Sequence, residues 1–134
     1  MPPMTAAHPA PVPPALHELE SKVMDHLWAL EAGSVREVLQ SVNAGAPRDL
    51  AYTTIMTILQ RLNRKQVVTR RREGKTDIYT PRWSREAYRE ARARAEVAAL
   101  VDQYGQEALV HFTRQVAQLD AKTRQKLRRL ARDA

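Results

Sequence analysis

Two groups of side chains stand out between residues 51 and 81. Thr53, Met56, Thr57, Gln60, Arg61 and Arg64 recur at helical steps, and Arg70, Arg71, Arg72 and Lys75 crowd around Gly74. Hydroxyls and carboxamides make short hydrogen bonds, and guanidinium forks match phosphates and the acceptor edge of guanine. Carboxylates elsewhere in the chain are scattered and no thiol exists, so these residues offer recognition of a polyanion rather than bond cleavage. With Ile55 as the origin of a helical wheel, Ile58, Leu59 and Leu62 fall within about 60° of it and take the buried side. The polar set takes the other side. A duplex carries phosphate charge every few ångströms, and its major groove admits one helix. Short threonines allow close approach there, while the arginines reach base edges or straddle phosphates. Met56 has two uses on that side: contact with a thymine methyl, or filling a gap in the fold.

Such a helix needs supports. Leu16, Leu19, Val23, Leu27 and Leu30 form an apolar stripe with Met24 and Trp28 beside it, and Glu18, Glu20, Lys22 and Asp25 take the solvent side. Gly33 is placed to close this first helix. Ser34 and Glu37 then make a capping box for a second, whose stripe is Val35, Val38, Leu39 and Val42. A loop with Gly45 and Pro47 leads to the third helix, over residues 52–65. Beyond it, two β-branched runs flank Glu73-Gly74-Lys75-Thr76, a hairpin signal that Pro81 ends. Helix, helix, helix, hairpin is the order of a winged helix-turn-helix. Wing contacts from Arg70, Arg71, Arg72 and Lys75 to the flanking backbone position the protein and carry little sequence information.

From Ser84 the pattern is helical again, through Ala87, Tyr88, Ala91, Ala95, Ala98 and Val101 to a break at Gly105. Ala108, Leu109, Phe112 and Val116 mark a short helix, and Asp120 caps a last one carrying Leu127, Leu130 and Ala131. About fifty residues in short helices are too few for a core of their own. Burial against a second copy is the expected solution, burial against the chain's own winged domain the alternative. The expected fold is therefore mainly α with a small β-hairpin wing: a disordered Pro-rich tail at 1–15, a winged helix-turn-helix at 16–83 and a helical dimerisation region at 84–134. A two-fold axis through that region sets two recognition helices one DNA turn apart.

Composition agrees. The chain of 134 residues carries a net charge of +7. Residues 48–83 hold nine basic against three acidic side chains, whereas residues 16–47 hold two against five. With no cysteine, disulfides and thiolate chemistry are excluded. His17 and His26 point to opposite sides of one helix, and His8 and His111 stand apart, so no metal site is expected. No phosphate loop, catalytic constellation, cofactor site or membrane-inserted segment is legible, and the expected setting is reduced and cytoplasmic. A non-specific architectural nucleic-acid binder shares the charge, and a winged helix devoted to protein contacts shares the fold. Three consecutive wing arginines disfavour the second, and competition with random duplex separates the first.

The segments Leu16–Trp28 (L-x-x-L-E-x-x-V-M-D-x-L-W), S-V-R-E-V at 34–38, A-Y-T-T-I-M-T-I-L-Q-R-L-x-R-K at 51–65 and Y-T-P at 79–81 resemble the penicillinase repressor (BlaI/MecI) family. That family also includes copper repressors that sense metal through a C-terminal cysteine motif, a branch this cysteine-free chain leaves. The resemblance implies a homodimeric transcriptional repressor of β-lactam-resistance or related genes, bound to palindromic double-stranded DNA operators. Recognition contacts would fall on Thr53, Thr54, Thr57 and Arg61. It also implies relief by proteolytic cleavage, triggered by a β-lactam-sensing membrane protein. The family's cleavage point resembles an Asn-Phe pair, whereas this chain has His111-Phe112. Gln66 stands where the family often closes the recognition helix with glycine.

Overall fold

In the computed structural model, which describes residues 12–133, the elements are α1 (Glu18–Leu30), α2 (Val35–Ala44), α3 (Tyr52–Arg64), β1 (Val68–Glu73), β2 (Thr76–Pro81), α4 (Arg85–Tyr104), α5 (Gln106–Ala117) and α6 (Ala121–Asp133). The chain forms two compact units, divided between Ala93 and Arg94.

Apolar periodicity accounts for most of the core of the first unit. Val23, Met24 and Leu27 of α1, Val35, Val38 and Val42 of α2, and Ile55, Ile58, Leu59 and Leu62 of α3 meet in one buried cluster, closed by Val67, Val68 and Tyr79. Ser34 caps α2 by accepting from the Glu37 N–H at 3.2 Å, and Glu37 Oε1 accepts from the Ser34 N–H at 2.9 Å. Asn43 spans the loop before α3 through paired bonds with Leu50, from its amide to the carbonyl at 3.1 Å and from the Leu50 N–H at 2.8 Å. The wing pairs β1 and β2 antiparallel from Val68↔Pro81 to Glu73↔Thr76. Only Gly74 and Lys75 remain in its turn, where Gly74 takes a φ of 62°. The carbonyl and N–H of Tyr79 also bond Gly33, at 3.0 and 2.9 Å, so the α1–α2 loop joins the wing as a short third edge.

That bridge corrects one expectation. Gly33 does not close α1. Glu31 does, with a φ of 72° and its N–H donating to the Leu27 carbonyl at 2.8 Å. Gly33 instead serves the sheet. The α1 stripe is also rotated from its expected position, because its centre runs through residues 20, 23, 24 and 27 while Leu19 and Leu30 lie at the surface. Glu20, expected on the solvent side, is only 1% exposed.

Gln66 adopts the left-handed conformation without being glycine, at φ 67°, and its Oε1 accepts from Arg82 at 2.7 Å. The backbone reversal that glycine makes easily is thus kept at a strain of about 1 kcal/mol. Gln66→Gly is expected to raise the denaturation midpoint slightly, since relief of strain is partly offset by the freedom glycine gains in the unfolded chain. Gln66→Val, β-branched at the same φ, should lower stability by about 1–2 kcal/mol in urea titrations.

Most of the expected Pro-rich tail, residues 1–11, lies outside the described residues. Its last part is held rather than loose. Pro13 is buried, its carbonyl accepting from Arg92 at 3.0 Å, and the Pro14 carbonyl accepts from the Tyr88 hydroxyl at 2.7 Å. Tyr88 in turn lies against Trp28, ring centroids 5.5 Å apart, and Trp28 Nε1 donates to the Trp83 carbonyl at 2.9 Å. The first turns of α4 therefore belong with the winged unit, beyond the expected boundary at 83.

In the second unit, Gly105 turns the chain at φ 62° between α4 and α5. Asp120 caps α6 by accepting from the Thr123 N–H at 2.8 Å, and the Thr123 side chain together with that N–H holds its carboxyl below the usual range. Arg124 ties off α5 on the carbonyls of Ala117 and Leu119, at 3.1 and 2.6 Å. Neither α5 nor α6 buries a side chain. Val97, Leu100, Leu109, Val116, Leu127 and Leu130 are all exposed. Among the described residues no helix is long and apolar enough to cross a membrane.

Candidate nucleic-acid interface

α3 is held on one side and open on the other. With Ile55, Ile58, Leu59 and Leu62 buried, Thr53, Thr57, Arg61 and Arg64 are exposed together on the outer face. The two flanks differ. Thr54 is half-buried and, with Thr53, Thr57, Arg61 and Leu19 of α1, lines a shallow hollow on one side. Gln60 and Met56 lie on the other flank, facing a cleft whose far wall includes Lys75, Asp77 and Tyr79 of the wing. Met56 packs against the buried cluster. Of its two expected uses, gap-filling is the one this packing serves.

No acidic residue lies in the first turn of α3, no side chain caps its N-terminus at Ala51, and Arg61 and Arg64 occupy its last turn. Unfilled N–H groups and the positive end of the helix dipole suit a phosphate at that end. The wing arginines alternate across β1. Arg70 stands opposite Tyr79 and Arg72 opposite Asp77, whereas Arg71 stands opposite Ile78 on the other face. Arg72 pairs with Asp77 at 3.3 Å and Arg71 pairs with Glu73, all four remaining at least partly exposed. Arg64 and Arg70 have no ionic partner among the described residues. Surface pairs of this kind contribute little and exchange readily for a phosphate.

Beneath the outer face lies a group that periodicity assigned wrongly. Glu20 Oε1 accepts from Lys65 Nζ and from the His17 N–H, each at 2.9 Å. Its Oε2 is buried without a hydrogen bond and lies 3.8 Å from an Arg61 guanidinium nitrogen. Burial pushes this carboxyl up, but the Lys65 ammonium and the His17 N–H outweigh it and hold Glu20 below its ordinary value of 4.5. A lowered folded-state pKa means that the stabilisation is complete above pH 4.5 and fades as pH falls through the folded value. Glu20→Gln should therefore be less stable than the parent by about 1.5–3 kcal/mol at neutral pH, with the gap narrowing below about pH 4 in thermal melts. The capping spacing from His17 to Glu20 was the available clue to this burial, since a carboxylate that reaches back to an N-cap N–H need not face solvent.

His111 and Phe112 lie within α5, and with Leu100, Tyr104, Glu107 and Ala108 they line a hollow of mostly apolar surface in the second unit.

The penicillinase repressor family model matches residues 16–133. The chain belongs to that family. As a penicillinase repressor family member it is a DNA-binding transcription repressor and not an enzyme. Two curated relatives, the transcriptional regulators BlaI of Mycobacterium tuberculosis strains CDC 1551 and H37Rv, are each 41% identical to it over 104 residues, covering 75% of this chain and 73% of theirs. Among solved structures, the DNA-binding domain of the repressor BlaI is similar at 26% identity and a TM-score of 0.49, over 58% of this chain and 92% of that one. The monomeric form of Bacillus licheniformis BlaI in complex with the blaP half-operator is similar at 26% identity and a TM-score of 0.47, over 57% and 90%.

Proposed function

We propose that this repressor acts as a homodimer on a palindromic operator, with α3 of each subunit in the major groove and the β1–β2 wing on the flanking backbone. The observation that carries the proposal is the outer face of α3, where Thr53, Thr57, Arg61 and Arg64 are exposed while the opposite side of the same helix is buried. Thr53, Thr54, Thr57 and Arg61 approach the bases and nearby phosphates, Gln60 faces the wing side, and Arg64 meets the backbone. The exposed apolar side chains of α4, α5 and α6 support pairing through the second unit, because water is otherwise their neighbour. The site of action is the cytoplasm.

The test is selection of duplexes from a random pool on the protein itself. A palindromic sequence should emerge, bound at least about 10³-fold more tightly than scrambled duplex. Enrichment of nothing beyond charge would favour an architectural binder. Arg71→Ala should weaken selected and scrambled duplexes alike and reduce the slope of log affinity against log salt by about 1 per subunit, measured by fluorescence anisotropy.

For derepression we propose cleavage between His111 and Phe112 by a β-lactam-sensing membrane protease system, with β-lactam-resistance or related genes as targets. Both residues are helical, and a protease needs extended backbone, so α5 must open first. Its lack of buried side chains makes that opening inexpensive in a single subunit, and dimer packing would resist it. Mass spectrometry that finds the chain intact after antibiotic challenge, with its targets induced, removes this route.

A further inference from the structure

One carboxylate oxygen of Glu20 has no hydrogen-bond partner among the described residues. The other is occupied by Lys65 and His17, while Oε2 is buried, unbonded and 3.8 Å from Arg61, whose side chain is 44% exposed. A buried oxygen without a donor is costly, and the Arg61 guanidinium stands less than 1 Å beyond hydrogen-bond reach of it. Arg61 lines the hollow on the α1 flank of α3 together with Thr53, Thr54 and Thr57. Arginine has two donor edges, so one edge can be held from behind while the other remains open.

We infer that Glu20 is a positioning and specificity-determining residue: on docking, Oε2 takes the inner edge of Arg61 and fixes the outer edge toward a base. This rests on α3 lying in the groove as proposed above. Held on a carboxylate anchored by Lys65 and the His17 N–H, the guanidinium loses the rotational freedom that would let it settle on any nearby phosphate. The carboxylate does not repel the duplex, because Lys65 neutralises it from the same side at 2.9 Å. Arg61 is thereby turned from a generic cation into a planar reader, the geometry that a bidentate contact with guanine requires.

The experiment compares the duplex recovered by selection with a scrambled duplex, for the full-length parent, Glu20→Gln, Arg61→Ala and the double variant, at a temperature where circular dichroism finds each folded. Glu20→Gln should lose about tenfold on the selected duplex, bind scrambled duplex as well as the parent or better, and change nothing further in the Arg61→Ala background. Equal loss on both duplexes, or the same loss with Arg61 already absent, overturns the inference. Should Glu20→Gln not fold, nitrogen NMR of the parent decides: rotation of the Arg61 guanidinium, assigned by its disappearance in Arg61→Lys, should slow on the selected duplex but not on the scrambled one. Unhindered rotation on both overturns it. If no duplex is enriched, the groove placement of α3 fails as well, which separates that failure from the failure of Glu20 alone.

Discussion

Arg61→Ala should weaken binding to the selected duplex by about 1–3 kcal/mol, roughly 5- to 150-fold, while scrambled duplex loses far less. The asymmetry follows from where Arg61 stands. It is exposed on the outer face of α3, one turn beyond Thr57, yet its guanidinium lies within ion-pair range of a buried carboxylate. A cation tethered in this way has a preferred direction, and removing it should erase discrimination at one base pair per half-site rather than affinity in general. The measurement is competition anisotropy across all four bases at each position. If Arg61→Ala keeps the parental base preferences, the reading face lies elsewhere on the helix, and the flank bearing Gln60 becomes the one to test. The change should also be nearly silent in stability, because Lys65 and the His17 N–H still hold Glu20.

A larger effect is expected from the second unit. Leu109→Asp combined with Leu130→Asp should give a monomer in sedimentation at micromolar concentration and reduce affinity for the palindromic duplex by about 10²- to 10⁴-fold, as the second half-site ceases to be filled by a tethered partner. Leu109 is 51% and Leu130 56% exposed in the single chain and neither belongs to the buried cluster of the winged unit, so the two aspartates leave that cluster intact. The melting of the winged unit should accordingly be unchanged, and binding to an isolated half-site should match the parent. A double variant that still sediments as a dimer would show that these two leucines face solvent in the assembly too.

The architecture was legible because its determinants are local. Ser34 with Glu37, the turn at Gly74, Asp120 at the start of α6 and the stripe of Ile55, Ile58, Leu59 and Leu62 each carry their meaning within a few residues, and each element formed where that meaning pointed. What was not legible depends on partners distant in the chain. Nothing near Gly33 announces that Tyr79, forty-six residues on, will bond both of its backbone groups. A helical wheel cannot seat Glu20 inside, because the reason is Lys65 on another helix terminus, forty-five residues away. Proline content likewise suggested a loose tail through residue 15, whereas Arg92 and Tyr88 hold the carbonyls of Pro13 and Pro14. The candidate face shows the same division. Its exposed centre, Thr53, Thr57, Arg61 and Arg64, was visible by periodicity, and the different surroundings of Met56 and Arg61 on its two flanks were not.

The Gly33–Tyr79 bridge fastens the hairpin at its root and leaves the other end untethered. Residues added between Glu73 and Thr76 would lengthen the arm without disturbing its hinge to α2, since among the described residues no hydrogen bond from the body of the domain reaches past Tyr79 along that ladder. The reach of the arm along the double helix is thus a dimension that insertions can tune independently, while the angle at which it leaves the body stays set by the two Gly33 hydrogen bonds and by the burial of Val68 and Tyr79 at its root.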